Sequence, residues 1–345
     1  MKHVGDRLVQ AFASKSDVLA RAVKAARMHQ SIDIAETASP ARPFVTAALW
    51  HELGAQIIVW CASQEAADRF ATDCAYYLEE RGAPVWTLAA REVAPGAPQN
   101  PTSQSARIET LAALAARRPG VFCVAHDAMR DPVLAAAEFI ARTRTYNIGG
   151  TYDWEPMLAE LVALGYERVD TVGAAGEFAV RGGIVDVFPA QSDLPLRLEF
   201  FGDTLETIRT FALADQRSVG AVESVTVTPW SDAAEAGGGS VLDYAPRSVL
   251  VIDGAEEILA FDRASGEQAS GDTLLEADEA TEDGAELERA EPGARHVIEM
   301  TDLIARSESH AVVSFQAGVP GPRIAREADV TIVVAAEPAP AYGRS

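Results

Sequence analysis

Lysine is almost absent from this chain, which contains Lys2, Lys15 and Lys24 and none after them. A phosphate-binding loop of the GxxxxGK[ST] type needs a lysine that reaches the β and γ phosphates of a nucleotide. No such loop exists after Lys24, and the residues before it do not contain one. The sequence therefore argues against a nucleotide-hydrolysing site of that type.

Cysteines and long apolar runs are also scarce. Cys61, Cys74 and Cys123 have none of the paired spacings of a metal site or a disulfide framework, so we expect buried, reduced thiols. No run of eighteen apolar residues is present, and Asp6 and Arg7 break the apolar stretch at the start of the chain. We therefore expect a cytoplasmic protein with no membrane span.

Acidic residues outnumber basic ones, 51 to 29, so the formal net charge is −22. Phosphate backbones are bound by clustered Lys and Arg, so the sequence argues against a broad nucleic-acid surface, and contact with DNA is expected to be indirect. The segment 267–291 holds ten acidic residues against a single arginine. We expect it to be a solvated helix or a mobile loop rather than a binding tail.

Helical and strand patterns alternate over the first part of the chain, which predicts an α/β fold with a parallel sheet. From about Asn147 the pattern changes to a helix and then to the short strands IVDVF, LRLEFF and TLETIRTFA. The Gly202-Asp203 pair is typical of a two-residue hairpin turn, so this part is predicted to be a β-meander beside a helix. Parallel-strand patterns return in SVLVID, HAVVSF and VTIVV.

One parallel sheet that is interrupted by the meander accounts for this order of patterns. The predicted domains are residues 1–146 as the first part of an α/β domain, residues 147–232 as an inserted α+β domain, and residues 233–345 as the second part of the α/β domain.

The sequence contains no pattern that predicts a catalytic, cofactor-binding or metal-binding residue. No GxSxG elbow is present, and the six histidines are scattered singly. Asp253 follows the strand VLVI, where a nucleotide-hydrolysing domain would hold its metal-binding acid, but Gly254 takes the place of the second acid. We interpret Asp253 as a structural residue and expect no cofactor.

Two arginines, Arg168 in GYERVD and Arg181 in EFAVRGG, are the basic residues of most interest. In a strand, Phe178 and Val180 share one face and Ala179 and Arg181 share the other, so alternation predicts an outward Arg181. Taken alone, an arginine beside Gly-Gly is more typical of an internal ion pair or a rim residue than of a binding site.

A longer pattern surrounds these arginines: GEF, VRGGIVDVFP, RLEFFGD and DQRS follow one another within residues 165–219. This pattern resembles a module shared by the excision-repair protein UvrB and the bacterial transcription-repair coupling factors (Mfd). The segments SQSARIETLAALAARRPGVFCVAHDAM, SVLDYAPRSVLVID and AEPAPAYGRS extend the resemblance more weakly. The resemblance implies a degenerate helicase-like α/β domain, split in sequence, with an inserted UvrA-binding domain.

Two departures distinguish between the relatives. UvrB has an intact phosphate-binding loop where this sequence has TASPARPFVTAAL, which contains neither the glycines nor the lysine. UvrB also has an additional arginine at the position of Ala179. Both differences favour the N-terminal module of the coupling factors.

The resemblance also implies a binding site, because the inserted domain of the family docks UvrA through arginines that match Arg168 and Arg181. A guanidinium on a rigid strand can present two parallel donors to a partner carboxylate. Phe188 completes the candidate site. Phe188, Tyr166 and Phe178 have two possible roles: they pack beside that contact, or they belong to the core. The sequence does not decide between these roles.

The expected function is a UvrB-mimicking module that binds UvrA and recruits nucleotide excision repair, without hydrolysing nucleotide. The motor, polymerase-binding and C-terminal domains of the coupling factors would lie beyond Ser345, so we expect a fragment or a short relative, with those domains as further partners. The alternatives are a regulatory or autoinhibitory module of a longer ATP-dependent DNA translocase, and a chain that itself binds ATP and DNA.

Overall fold

The computed structural model describes residues 4–35, 37–91, 100–234, 238–264, 297–315 and 328–333. The predicted acidic segment 267–291 and the terminal AEPAPAYGRS lie outside the described residues. By its internal contacts the chain divides into two compact units. Unit 1 comprises Met1–Ala90, Pro119–Arg130 and Pro246–Ser345, and unit 2 comprises Arg91–Arg118 and Asp131–Ala245.

The strands and helices of the described residues have these bounds. The strands are β1 (Ile32–Ala35), β2 (Gln56–Cys61), β3 (Val85–Leu88), β4 (Gly120–Ala125), β5 (Arg144–Asn147), β6 (Glu167–Arg168), β7 (Glu177–Arg181), β8 (Ile184–Val187), β9 (Leu196–Phe201), β10 (Thr204–Phe211), β11 (Ser218–Val222), β12 (Ser224–Val227), β13 (Val249–Asp253), β14 (Ala311–Phe315) and β15 (Val330–Val333). The helices are α1 (Val4–Ala13), α2 (Asp17–Arg27), α3 (Ala41–Leu53), α4 (Gln64–Leu78), α5 (Pro101–Ala115), α6 (His126–Arg130), α7 (Ala136–Arg142), α8 (Trp154–Ala163), α9 (residues 255–264) and α10 (Met300–Ser307).

Unit 1 is built on a seven-stranded sheet in the order β15-β1-β14-β13-β2-β4-β3. All of its strand pairs are parallel. β4 is buried along its whole length and β2 over five of its six residues, because a parallel sheet in an α/β fold is covered on both faces. The predicted α/β fold with a parallel sheet is therefore confirmed. Its strands come from residues 32–125 and from residues 249–333.

Helix α4 illustrates how local sequence sets the elements of unit 1. Ser63 caps its first turn by accepting a hydrogen bond from the Ala66 amide, and Ala67, Phe70 and Cys74 form its buried face. A 3₁₀ turn follows, and Gly82 ends it at a φ of 57°, a left-handed conformation that glycine adopts readily.

The three cysteines are free and buried, as predicted. Burial raises the pKa of each thiol well above its usual value, so the neutral thiol is the stable form. No helix among the described residues combines the length and apolar character that a membrane crossing requires.

Unit 2 contains a six-stranded sheet in the order β11-β10-β9-β8-β7-β6. Each neighbouring pair from β7 to β11 is antiparallel, which confirms the predicted meander, and the short edge strand β6 runs parallel to β7. Gly202 and Asp203 form the two-residue turn between β9 and β10, with Gly202 at a φ of 58°. Helix α8 packs on one face of the sheet through Met157, Leu158 and Leu161.

Helix α5 is also part of unit 2, because polar side chains on it bind the rest of that unit. Gln104 donates to the Trp230 carbonyl at 2.7 Å, and Ser105 donates to the Ala190 carbonyl at 3.0 Å. Unit 2 thus contains the predicted inserted domain 147–232 and extends beyond it on both sides. The limits proposed from the sequence stay a prediction.

A buried cluster of charged side chains lies near the points where the chain enters and leaves unit 2. Arg107 Nε lies 2.6 Å from Asp232 Oδ2, and Arg107 Nη1 lies 3.4 Å from Asp131 Oδ2. Arg91 adds a second guanidinium at 3.3 Å from Asp232. Beside this cluster, the amide of Val133 donates to the Gly239 carbonyl, so the two chain segments are held together.

Candidate protein-binding site

Arg181 lies at the end of β7 with its side chain in solvent. Phe178, three residues earlier, is fully buried against α8, so the predicted outward position of Arg181 is confirmed, although Ala179 on the same face is buried in a small cluster of its own. The guanidinium Nη2 donates to Thr171 Oγ1 at 2.6 Å and to the Asp170 carbonyl at 3.0 Å. These two bonds restrict the rotamers of Arg181. A partner that binds its remaining donors therefore pays a smaller cost in side-chain entropy than it would with a mobile arginine.

Arg168 is also exposed, but it lies on the other face of the sheet. The register of β6 and β7 places Arg168 opposite Phe178, on the side that packs against α8. Arg181 projects from the opposite side. Because the two arginines lie on opposite faces and β6 is an edge strand, one partner surface could reach both by extending around that edge. The structure therefore does not bring the two predicted contacts together on one face.

Phe188 is half-buried and packs against a small cluster on the Arg181 side of the sheet, formed by Val172, Ala179 and Phe211. Part of its ring therefore contributes to the core of unit 2, and the rest borders the solvent-facing side. Tyr166 and Phe178 are core residues, 3% and 0% exposed. Of the three aromatic candidates, Phe188 alone remains available to a partner.

The same face carries a partly buried ion pair that the sequence did not identify. Arg197 Nε and Nη2 lie 2.7 and 2.8 Å from the two oxygens of Asp186, a two-point contact that raises the pKa of Arg197. The guanidinium also lies 4.7 Å from the centre of the Phe211 ring. The sequence shows only that two neighbouring strands carry charges of opposite sign. The register is needed to show that Asp186 and Arg197 lie opposite each other.

Unit 1 has a separate cleft of 350 Å³ at the carboxyl ends of β2 and β13, bordered by the first turns of α3 and α4. Arg42, from the segment TASPARPF, lies here with 3% of its side chain exposed and its Nη1 2.9 Å from Asp253 Oδ1. Burial raises the pKa of Asp253, and Arg42 opposes that shift. The acid at the end of β13 is thus paired with a cation of the protein itself.

His126 forms a buried network in unit 1. The Trp60 indole Nε1 donates to His126 Nδ1 at 3.2 Å, and His126 Nε2 lies 3.0 Å from Asp262 Oδ1, which also accepts from Arg130 at 2.7 Å. Because an indole N–H can only donate, Nδ1 is the acceptor and Nε2 carries the proton. Burial lowers the pKa of His126 below 6.5, although Asp262 opposes the shift. The arrangement is that of a neutral, structural histidine.

This network predicts that unit 1 loses stability in mild acid. The unfolded histidine takes up a proton near pH 6.5, whereas the folded one resists protonation, so the stabilisation is present above about pH 6.5 and is lost as the pH falls through the lower folded pKa. We expect faster amide exchange of β2 and β4 at about pH 5.5 than at about pH 7.5, after correction for intrinsic rates. His126→Gln is expected to reduce this pH dependence, and an equal dependence in both proteins would contradict the assignment.

Comparison with known proteins identifies the antiparallel part of the chain. Residues 145–232 match the family model of the UvrB interaction domain. This segment contains β6 to β12 and α8, and with them Arg168, Arg181 and Phe188. By its fold and by this match, the segment is therefore similar to a UvrB interaction domain.

The particular relatives are transcription-repair coupling factors. The chain is 36% identical over 198 residues to that of Myxococcus xanthus, a match that covers 55% of this chain and 16% of the relative. It is 36% identical over 134 residues to that of Staphylococcus aureus strain bovine RF122 / ET3-1, which covers 39% of this chain and 11% of the relative. The resemblance to a UvrB-like module of the coupling factors is thus confirmed, and the chain spans only a small part of these relatives.

Proposed function

We propose that this chain is a UvrB-mimicking module of the cytoplasm that binds UvrA and recruits nucleotide excision repair during transcription-coupled repair. The observation that carries the proposal is Arg181, an exposed guanidinium held in place on a strand of the UvrB interaction domain. Pre-ordered arginines and aromatics are the residues that contribute most to protein interfaces. Arg168 at the neighbouring edge and the exposed side of Phe188 extend the contact.

The proposal includes that the chain hydrolyses no nucleotide of its own. Two features support it: the absence of lysine after Lys24, and the Arg42–Asp253 pair at the edge where a metal-binding acid would be needed. In this interpretation unit 1 is a degenerate helicase-like domain, split in sequence by the inserted domain, and its contact with DNA is indirect. Tight binding of ATP in calorimetry with the purified chain would overturn this part of the proposal.

Binding to purified UvrA, measured by calorimetry or interferometry, tests the main proposal. Arg181→Ala and Arg168→Ala are each expected to weaken binding by about 1–3 kcal/mol, or roughly 5- to 150-fold. Arg181→Lys is expected to fall between the wild type and the alanine variant, because a lysine keeps the charge and loses the planar fork. Arg118→Ala, an exposed arginine of unit 2 in the turn after α5, is the matched control.

The outcomes are distinct. A wild-type chain that does not bind UvrA would overturn the function, whereas unchanged affinity in both arginine variants would overturn the site and leave the function standing.

A second candidate function is a regulatory or autoinhibitory module of a longer ATP-dependent DNA translocase. The length of the relatives favours it, since the match covers only 16% of the coupling factor of Myxococcus xanthus. In a protein of that size the Arg181 face would also be available to the motor and polymerase-binding domains. If those domains, added separately, compete with UvrA for the wild-type chain, this function is supported. An absence of both association and competition counts against it.

A further inference from the structure

Two adjacent phenylalanines at the end of β9 point in opposite directions. Phe200 packs inward, with its ring centre 5.4 Å from that of Trp154 and 6.4 Å from that of Tyr152. Phe201 is 77% exposed, which is the largest exposed fraction of any large hydrophobic side chain among the described residues. The tight Gly202-Asp203 turn and the pairing with Thr204 hold the backbone of Phe201 at the end of the hairpin.

Phe201 lies on the same face of the sheet as Arg181. Leu198 is a core residue and Phe200 packs against the same core, so alternation directs Glu199 and Phe201 to the other face. The register then places Arg181 opposite Ile184, and Ile184 opposite Glu199. With strands about 4.8 Å apart and a rise of about 3.4 Å per residue, the Cα atoms of Phe201 and Arg181 lie roughly 12 Å apart.

We call the tip surface the group formed by Arg181, Ile184, Glu199 and Phe201. Ile184 is half-buried between the two ends of the group, and Glu199 accepts a hydrogen bond from Thr207 Oγ1 at 2.7 Å. An aromatic ring and a guanidinium at this distance fit within the roughly 800 Å² that each partner contributes to an ordinary interface. Aromatic and arginine side chains are also the commonest residues at which binding energy is concentrated.

We propose that Phe201 is the apolar anchor of the UvrA contact, inserted into an apolar recess of UvrA beside a carboxylate that binds Arg181. The inference rests on the proposed function, since it takes UvrA as the occupant. Charge complementarity supports an acidic neighbour for Arg181, because the hydrogen bonds of this exposed guanidinium go to a hydroxyl and a backbone carbonyl, which do not neutralise its positive charge. The exposure of Phe201 supports an apolar recess, because desolvating a full phenyl ring is a favourable contribution that this side chain lacks in the free protein.

The test compares UvrA binding by the wild type, Phe201→Ala, Phe201→Leu and Val162→Ala. Phe201→Ala is expected to weaken binding roughly tenfold or more, and Phe201→Leu to weaken it less, because leucine keeps much of the apolar area. Val162 is 58% exposed on α8, the helix that covers the other face of the sheet, so Val162→Ala is the matched control with unchanged affinity. All variants are expected to keep the wild-type melting temperature, since both side chains are mostly in solvent.

Each outcome has one meaning. Affinity of Phe201→Ala within twofold of the wild type, while the wild type binds UvrA, overturns the anchor and leaves the proposed function in place. A wild type that does not bind UvrA overturns both. A wild-type dimer in sedimentation that becomes a monomer in Phe201→Ala, with UvrA binding unchanged, assigns the tip surface to a second copy of this chain and overturns the inference.

Discussion

Replacing Arg107 by alanine is expected to lower the free energy of unfolding of unit 2 by about 3–5 kcal/mol, the cost of leaving buried carboxylates without their cation. The Arg107 side chain is 4% exposed, and the carboxylates of Asp131 and Asp232 are 2% and 1% exposed. Burial acts to raise the pKa of Asp232, but Arg107 and Arg91 together hold it below its usual value. Without Arg107, Asp232 keeps the Arg91 guanidinium at 3.3 Å, and Asp131 loses the cation that lies 3.4 Å from it.

Hydrogen exchange of the amides in β8, β9 and β10 measures this loss within unit 2. Arg107→Lys is expected to fall between the wild type and the alanine variant, because an ammonium cannot bind both acids in the geometry of the planar fork. Arg118→Ala, an exposed arginine three residues beyond α5, is expected to change stability by less than about 0.5 kcal/mol. If Arg107→Ala matched that control, the cluster would not stabilise unit 2.

Replacing Arg42 by alanine is expected to lower the free energy of unfolding of unit 1 by about 3 kcal/mol at neutral pH. This value lies at the lower end for a broken buried pair, because Asp253 is 16% exposed and can take up a proton. Burial already raises the pKa of Asp253, and the loss of Arg42 raises it further. A carboxyl whose pKa is higher in the folded state than in the unfolded state stabilises the fold at low pH, and this stabilisation is lost as the pH rises through the folded-state pKa. The cost of Arg42→Ala is therefore expected to shrink in mild acid, where Asp253 is protonated.

A double-mutant cycle identifies the cause of this loss. Asp253→Asn in the Arg42→Ala background is expected to recover most of the stability, because it removes the unpaired charge. Arg69→Ala is the matched control, since Arg69 borders the same cleft and its side chain is 69% exposed. A penalty that stays the same after Asp253→Asn would assign the role of Arg42 to packing rather than to the ion pair.

Much of the architecture was predictable because the signals are local. The buried strands β2 and β4 are continuous apolar runs, as expected of parallel strands covered on both faces. The Gly202-Asp203 turn and the alternation in EFAVR identified the meander and the outward Arg181. The family pattern within residues 165–219 then gave the resemblance to a UvrB-type module, which the match to residues 145–232 confirms.

The candidate site was predictable only in part, because a side chain's neighbours on other strands are not encoded locally. Arg168 and Arg181 were assigned to one contact, but the register places them on opposite faces of the sheet. Alternation in LRLEFF places Leu196, Leu198 and Phe200 on one face and Phe201 on the other. Only the register of β7, β8 and β9 shows that Phe201 shares its face with Arg181.

The sequence by itself determined the alternation of helices and parallel strands, the strands of the meander with their Gly202-Asp203 turn, and that Arg181 faces outward, because periodicity and turn chemistry act within a few residues. Only the tertiary structure decided which charges meet. Arg42 pairs with Asp253 across 211 residues, and Arg107 pairs with Asp232 across 125. Nothing near an arginine in the chain distinguishes one that will be buried against a distant carboxylate from one that stays in water, since the pairing depends on strand order, register and packing.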